Sequence, residues 1–134
     1  MASPFERAAS VLAADSRVDA VYGFGSHVRG TAGPRSDIDL AVLLSRDIRL
    51  VEELRLRANV VDVLGRDDID LVRLNSAPPL LRHEIISTGH RLFVRDADAV
   101  DRFERRCLRE YLDTRYLRTV QRRLARERSH DAAA

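Results

Sequence analysis

The stretch that most narrows the fold is "DIDLAVLL", Asp37 to Leu44, in which six of the seven residues after Asp37 are apolar. A run this short and this apolar reads as a well-buried strand, and it commits the chain to a sheet with other elements packed on it. The run nevertheless opens with two acids. Successive side chains on a strand alternate between faces, so Asp37 and Asp39 share one face while Ile38 and Leu40 fill the other. Asp70, in "DIDLV", has a similar setting on a later strand and reaches the same point if the two strands are neighbours. Two carboxylates ~6 Å apart at an effective dielectric near 20 repel by about 3 kcal/mol, against the ~5–15 kcal/mol that holds a whole domain. Acids gathered in this way need a cation or must take up protons. Oxygen ligands without His or Cys suit Mg²⁺, with Mn²⁺ as the alternative, and argue against zinc.

The remaining pattern alternates helices and strands. Ser3-Pro4-Phe5-Glu6 reads as an N-cap, a first-turn proline and a capping-box glutamate, predicting a helix from Pro4 to about Ala14. A strand is expected over Val18–Phe24, a helical turn over Ser26–Arg29 and a loop over Gly30–Ser36. In "RLVEELRLRANVVDVLG" the residues Leu50, Val51, Leu54, Val61 and Leu64 predict the apolar face of a helix that stops at Gly65. "DDIDLVRL" is a third strand, Pro78-Pro79 opens a helix through Thr88, and "HRLFV" is a short fourth strand. A tail helix follows, with Val100, Phe103, Cys107, Tyr111, Leu117, Val120 and Leu124 as its stripe. The expected architecture is α/β (α+β): a small mixed sheet flanked by helices, with a long C-terminal helix. At 134 residues this is one domain, a core of about residues 1–96 and a helical tail of about 97–130.

Charge narrows the chemistry. All 23 basic residues are arginine, which excludes mechanisms that need a lysine nucleophile, a Schiff base or a P-loop lysine. From Asp101 to Arg128 there are ten Arg against five acids, so the basic surplus lies in the tail. Such a helix can meet nucleic acid or an acidic protein, although a solvated face is the commoner case. A single Cys107 builds no disulfide framework, no apolar run spans a bilayer and no leader pattern opens the chain, which together point to the cytoplasm.

Gly25-Ser26 ends one strand and opens a helical turn, where free backbone N–H groups and a hydroxyl can hold a phosphate. The Rossmann pattern fails at Val28, which stands where a third Gly or Ala belongs. His27, His83, His90 and His130 form no metal-binding pattern, though His27 adjoins the turn. Arg29 and Arg35 flank the loop and read as solvated or salt-bridged, Asp68 as a turn acid, and Cys107, Tyr111 and Tyr116 as packing residues. Gly25-Ser26, ten residues, Asp37-x-Asp39 and a later Asp70 form an ordered constellation that joins a phosphate grip to a metal site.

That G-S-x10-D-x-D order resembles the hallmark of the polymerase-β-like nucleotidyltransferases. "IDLVRLNSAPPLLRHEIISTGHRLFVRD" and "REYLDTRYLR" are similar to the MntA antitoxins, small adenylyltransferases paired with HEPN-domain HepT toxins. His27 and Val28 depart from the residues common in that family, Arg and Ala. The resemblance implies the minimal polymerase-β-like fold and transfer of AMP from ATP to a tyrosine of the toxin. It implies that Gly25 and Ser26 hold the triphosphate, that Asp37 and Asp39 ligate the metal, and that Asp70 orients or deprotonates the acceptor hydroxyl. It also implies a hetero-oligomer with the toxin, no membrane and no direct nucleic-acid binding. Two alternatives are an antitoxin that acts by binding alone and a small-molecule nucleotidyltransferase, the latter usually carrying an extra acceptor domain.

Overall fold

The computed structural model describes residues 2–25 and 37–133, with side chains described through residue 129. Along the chain run α1 (Pro4–Ala13), β1 (Val18–Phe24), β2 (Ile38–Leu44), α2 (Leu50–Leu64), β3 (Ile69–Arg73), α3 (Pro79–Thr88), β4 (His90–Val94) and α4 (Ala97–Ala133). The turn expected over Ser26–Arg29 and the loop over Gly30–Ser36 lie outside the described residues.

Local chemistry sets the helix ends. Ser3 Oγ accepts the Glu6 N–H at 3.1 Å, and Pro4 occupies the first turn, where its missing N–H leaves no bond unmade. Gly65 closes α2 in the left-handed region, φ 69° and ψ 25°. Asp96 caps α4, its carboxylate accepting the N–H groups of Asp98 and Ala99 at 3.1 and 3.3 Å.

The strands lie in the order β3-β2-β1-β4. β2 and β3 are parallel, joined through α2, while β1 is antiparallel to both β2 and β4. Under α1 and α2, one face of this mixed sheet buries Val21, Ile38, Leu40, Val42 and Ile69 against Leu12, Leu56 and Val60. The other face sets Ala20, Tyr22, Ala41 and Leu43 against Ile85 of α3 and Val100, Phe103 and Cys107 of α4. Strict alternation would put Val18 beside Ala20. A β-bulge between them turns Val18 to the first face, where it packs with Val21.

The block "LNSAPPLLRHEI" works as a clasp. The Asn75 side chain extends the ladder of β2, accepting the Leu44 N–H at 2.9 Å and donating to the Leu44 carbonyl at 2.8 Å. Arg82 donates to the Leu74 carbonyl at 2.7 Å and to the Asn75 carbonyl, and pairs with Glu110 at 3.1 Å. One guanidinium thus ties α3, the end of β3 and α4 together.

Two apolar stripes are rotated or shortened relative to expectation. On α2, Leu50, Val51 and Leu54 are exposed, and burial falls on Leu56 and Val60, with Val61 and Leu64 partly covered. The same helix sends Arg57 across to the carbonyls of Ile69 and Asp67 at 2.9 and 2.7 Å, a contact that helps set its rotation. On α4 the stripe is buried through Cys107, Tyr111 is half-buried, and Leu117 and Leu124 are exposed. No described helix is long and apolar enough to cross a membrane.

Candidate active site

Three strands bring their ends to one edge of the sheet. The N-termini of β2 and β3 lie there because those strands are parallel, and the C-terminus of β1 because it runs the other way. In register, Asp39 faces Phe24 across the β1–β2 ladder and pairs with Asp70 across the β2–β3 ladder. Neighbouring strands stand about 4.8 Å apart, so the two acids are side by side on one face. It is the face of Tyr22 and Ala41, which are buried under α3 and α4, whereas Asp39 is only half-buried and Asp70 exposed. Asp37, just ahead of the first strand residue, is exposed as well.

Gly25 enters the site through its backbone. Its φ of 81° is one that L side chains rarely adopt, and a Cβ there would lie 2.0 Å from a carboxylate oxygen of Asp39 and 2.9 Å from Cγ. The Asp39 carboxylate therefore occupies the space that any other residue at position 25 would fill. This contact joins the glycine turn to the acid pair, two features that the sequence shows fourteen residues apart. Ser26, His27, Arg29 and Arg35 lie outside the described residues.

Two groups also shape this edge: Asp68, read from the sequence as a turn acid, with Arg66, and the Tyr22 network, neither of which sequence reasoning placed here. Arg66 is ion-paired with Asp68, whose backbone carbonyl accepts the Ile38 N–H at 2.9 Å. The hydrogen bonds to Asp68 raise the Arg66 guanidinium above its usual value, burial opposes this, and the charge of Asp37 adds to the rise. A cation therefore stands close enough to Asp37 to feel it; its signal was an arginine two residues before an acid at a strand entry. The second group is Tyr22, whose hydroxyl donates to Glu104 Oε1 at 2.7 Å. Arg91 bridges the same Glu104 and Asp101 at 2.7 and 2.8 Å. Burial, then the bond to Glu104, pushes the Tyr22 phenol well above its ordinary value. A tyrosine inside an apolar strand was the signal, since a buried phenol needs a partner. This network fastens α4 beside the acid-bearing edge.

Of the other singled-out residues, Cys107, His83 and Tyr111 lie along α3 and α4, away from the acids. Cys107 is buried against the sheet, and burial raises its thiol. His83 stacks on Tyr111, with ring centroids 3.6 Å apart and planes 4° apart. Among the described residues, no three His, Cys, Asp or Glu side chains cluster closely enough to hold a metal ion by themselves. The edge instead offers Asp39 and Asp70 side by side, with Asp37 two residues ahead of Asp39, next to the Gly25 backbone. That arrangement can share a cation with an anionic ligand laid over Gly25.

This fold and this edge define a class, the small nucleotidyltransferases. A family model described as polymerase beta, nucleotidyltransferase matches residues 6–98, and the chain belongs to that family. Within it the chain is similar to the protein adenylyltransferase MntA of Shewanella oneidensis, 32% identical over 77 residues, 58% of this chain and 55% of that protein. The match thus spans about half the length of that relative. A solved toxin–antitoxin structure with AMP-PNP superposes with a TM-score of 0.75 at 27% identity, over 86% of this chain and 93% of the other. The MNT antitoxin in complex with a tri-AMPylated Shewanella oneidensis HEPN toxin shares the fold, with a TM-score of 0.69 at 24% identity over 87% and 91% of the two chains.

Proposed function

We propose that this chain is the antitoxin of a toxin–antitoxin pair and disarms a HEPN-domain RNase toxin by transferring AMP from ATP to one of its tyrosines. The observation that carries the reading is the seating of Asp39 between the Gly25 backbone and Asp70, at the edge of the sheet where Asp39 is half-buried and Asp70 exposed. Similarity to a protein adenylyltransferase and to a toxin–antitoxin chain solved with AMP-PNP supports the same chemistry.

In this reading residues 1–96 form the catalytic unit, residues 97–130 the tail, and the protein works in the cytoplasm. Gly25 and Ser26 hold the triphosphate, and Asp37 and Asp39 hold Mg²⁺. Mg²⁺ commonly takes one or two carboxylates and completes its shell with substrate phosphates and water, so two carboxylates suit it without a third protein ligand. When bound, the ion supplies charge for the attacking and leaving oxygens of an in-line displacement. Asp70, beside Asp39, accepts the proton of the incoming tyrosine, which otherwise keeps it to a pH of about 10. The tyrosine oxygen bonds to the α-phosphorus, the bond from that phosphorus to the β-phosphate bridge breaks, and pyrophosphate leaves.

The test is transfer of label from α-labelled ATP to the purified toxin, with and without Mg²⁺. Label should appear on a toxin tyrosine only with the metal. The Asp37→Asn/Asp39→Asn double variant should lose at least about a hundredfold in rate, the scale typical of removing groups that stabilise transition-state charge. Its thermal midpoint should hold or rise, because the substitution removes mutual repulsion. Wild-type transfer by a folded double variant would refute the site.

A further inference from the structure

Beyond Tyr111, α4 leaves the body of the protein. Arg82 with Glu110 and His83 with Tyr111 join α3 to α4, and from residue 112 to residue 129 no position is buried. The segment 112–128 spans ~25 Å at the helical rise. A helix of this length is marginal in water by itself, and tertiary packing of an amphipathic face is what normally holds one.

The segment has such a face. Leu108, Leu112, Tyr116, Val120 and Leu124 follow at intervals of four and form a ridge that winds slowly round the helix. Tyr116 is 70% exposed and Leu112 49%, and Leu117 widens the ridge at 57%. At its near end the ridge runs into a groove of about 370 Å³ between α3 and α4, lined by His83, Ile86 and Leu108.

Charge on the same segment says what can cover the ridge: at about 3.6 residues per turn Arg123 and Arg128 flank it, and Arg115, Arg118, Arg122 and Arg126 turn toward the other side of the helix. Residues 112–128 hold six Arg against two acids. Arg122, Arg123 and Arg126, with Thr119, line a hollow of about 200 Å³. Among the described residues, none of the arginines from Arg115 to Arg128 is in an ion pair. A second copy of the chain would set these guanidiniums against their own kind. Nucleic acid would answer the charge and leave the apolar ridge in water. An acidic amphipathic helix answers both.

We propose that residues 112–128 of α4, with Leu108 at the near end, are the docking surface for an acidic helical face of a partner protein. Resting on the function proposed above, that partner is the toxin whose tyrosine is modified. Recognition then sits on the free half of α4 and catalysis on the sheet edge, and the anchored half of the helix fixes one relative to the other.

Hydrogen exchange on the full chain, alone and with the HEPN-domain toxin proposed as its partner, tests the proposal, with AMP transfer measured in the same samples. Alone, the protein should be monomeric by light scattering, and amides 112–128 should exchange within about tenfold of an unstructured chain. Toxin should slow them at least a hundredfold. Leu117→Asp/Leu124→Asp should weaken the complex at least tenfold at any salt, and Arg122→Glu/Arg123→Glu mainly at low salt. Both variants should raise the KM for toxin and leave kcat at saturating toxin unchanged.

Protection of 112–128 in a dimer of the free chain would hand the surface to a second copy. Protection by a duplex RNA oligonucleotide and not by toxin would hand it to nucleic acid. No complex, or a complex without protection there, overturns the proposal. Protection by a toxin that receives no AMP leaves the docking surface standing and removes the transfer reading; transfer without protection does the reverse.

Discussion

The two faces of the sheet treat neighbouring residues of the same strand oppositely. Under α1 and α2, Val21, Leu40 and Val42 are fully buried, and the apolar layer continues to Ile38 and Ile69 at the strand ends. Under α3 and α4, Tyr22 and Ala41 are equally buried, yet Asp39 and Asp70, the next positions toward the edge, are not. One face is paved to its limit, and the other stops short by about one residue per strand. The closed face can supply most of the burial that holds the domain, which leaves the open face free to keep repelling carboxylates together. Because Leu40 and Asp39 are adjacent in sequence, this division can be tested by substitutions one residue apart.

Leu40→Ala should have the largest effect and touch stability alone. Removing a fully buried leucine from the closed face should lower unfolding free energy by about 2–5 kcal/mol, read from urea denaturation, with AMP transfer per folded molecule unchanged. Equal losses of rate and stability would mean that the faces are not separable. Gly25→Ala should do the opposite. The added Cβ and the left-handed φ must displace the Asp39 carboxylate, so transfer should fall about a hundredfold, ~3 kcal/mol in barrier, with a smaller change in stability. A near-normal rate would show that the contact with Asp39 is incidental.

Tyr22→Phe sharpens the boundary within the second face and should have the smallest effect. Loss of its hydrogen bond to Glu104 should destabilise by about 1 kcal/mol at neutral pH. The folded-state pKa of Tyr22 is raised above that of the unfolded chain, so its contribution is fully present below pH ~10 and is lost as the pH rises beyond. The wild type should therefore lose part of its advantage over the variant in alkaline urea titrations, and a constant difference across that range would contradict the assignment.

The sequence by itself determined what is local. Alternation and turn residues located β1, β2 and β4 to the residue, because a side-chain period and a Gly or Pro act within a few positions. Asp37 and Asp39 were legible as a pair for the same reason, and their order after Gly25-Ser26 was enough to suggest the chemistry. Tertiary structure decided what depends on neighbours. Only the parallel pairing of β2 with β3 set Asp70 beside Asp39, and only the fold brought Tyr22 to Glu104, 82 residues away. The spacing on α2 fitted a helix, but the burial of Leu56 and Val60 in place of Leu50 and Leu54 was settled by rotation against α1 and the sheet. The α4 stripe continues in sequence after the body has ended. A periodic pattern records that a helix has an apolar side, and the packing of distant elements decides which side is covered and where the cover stops.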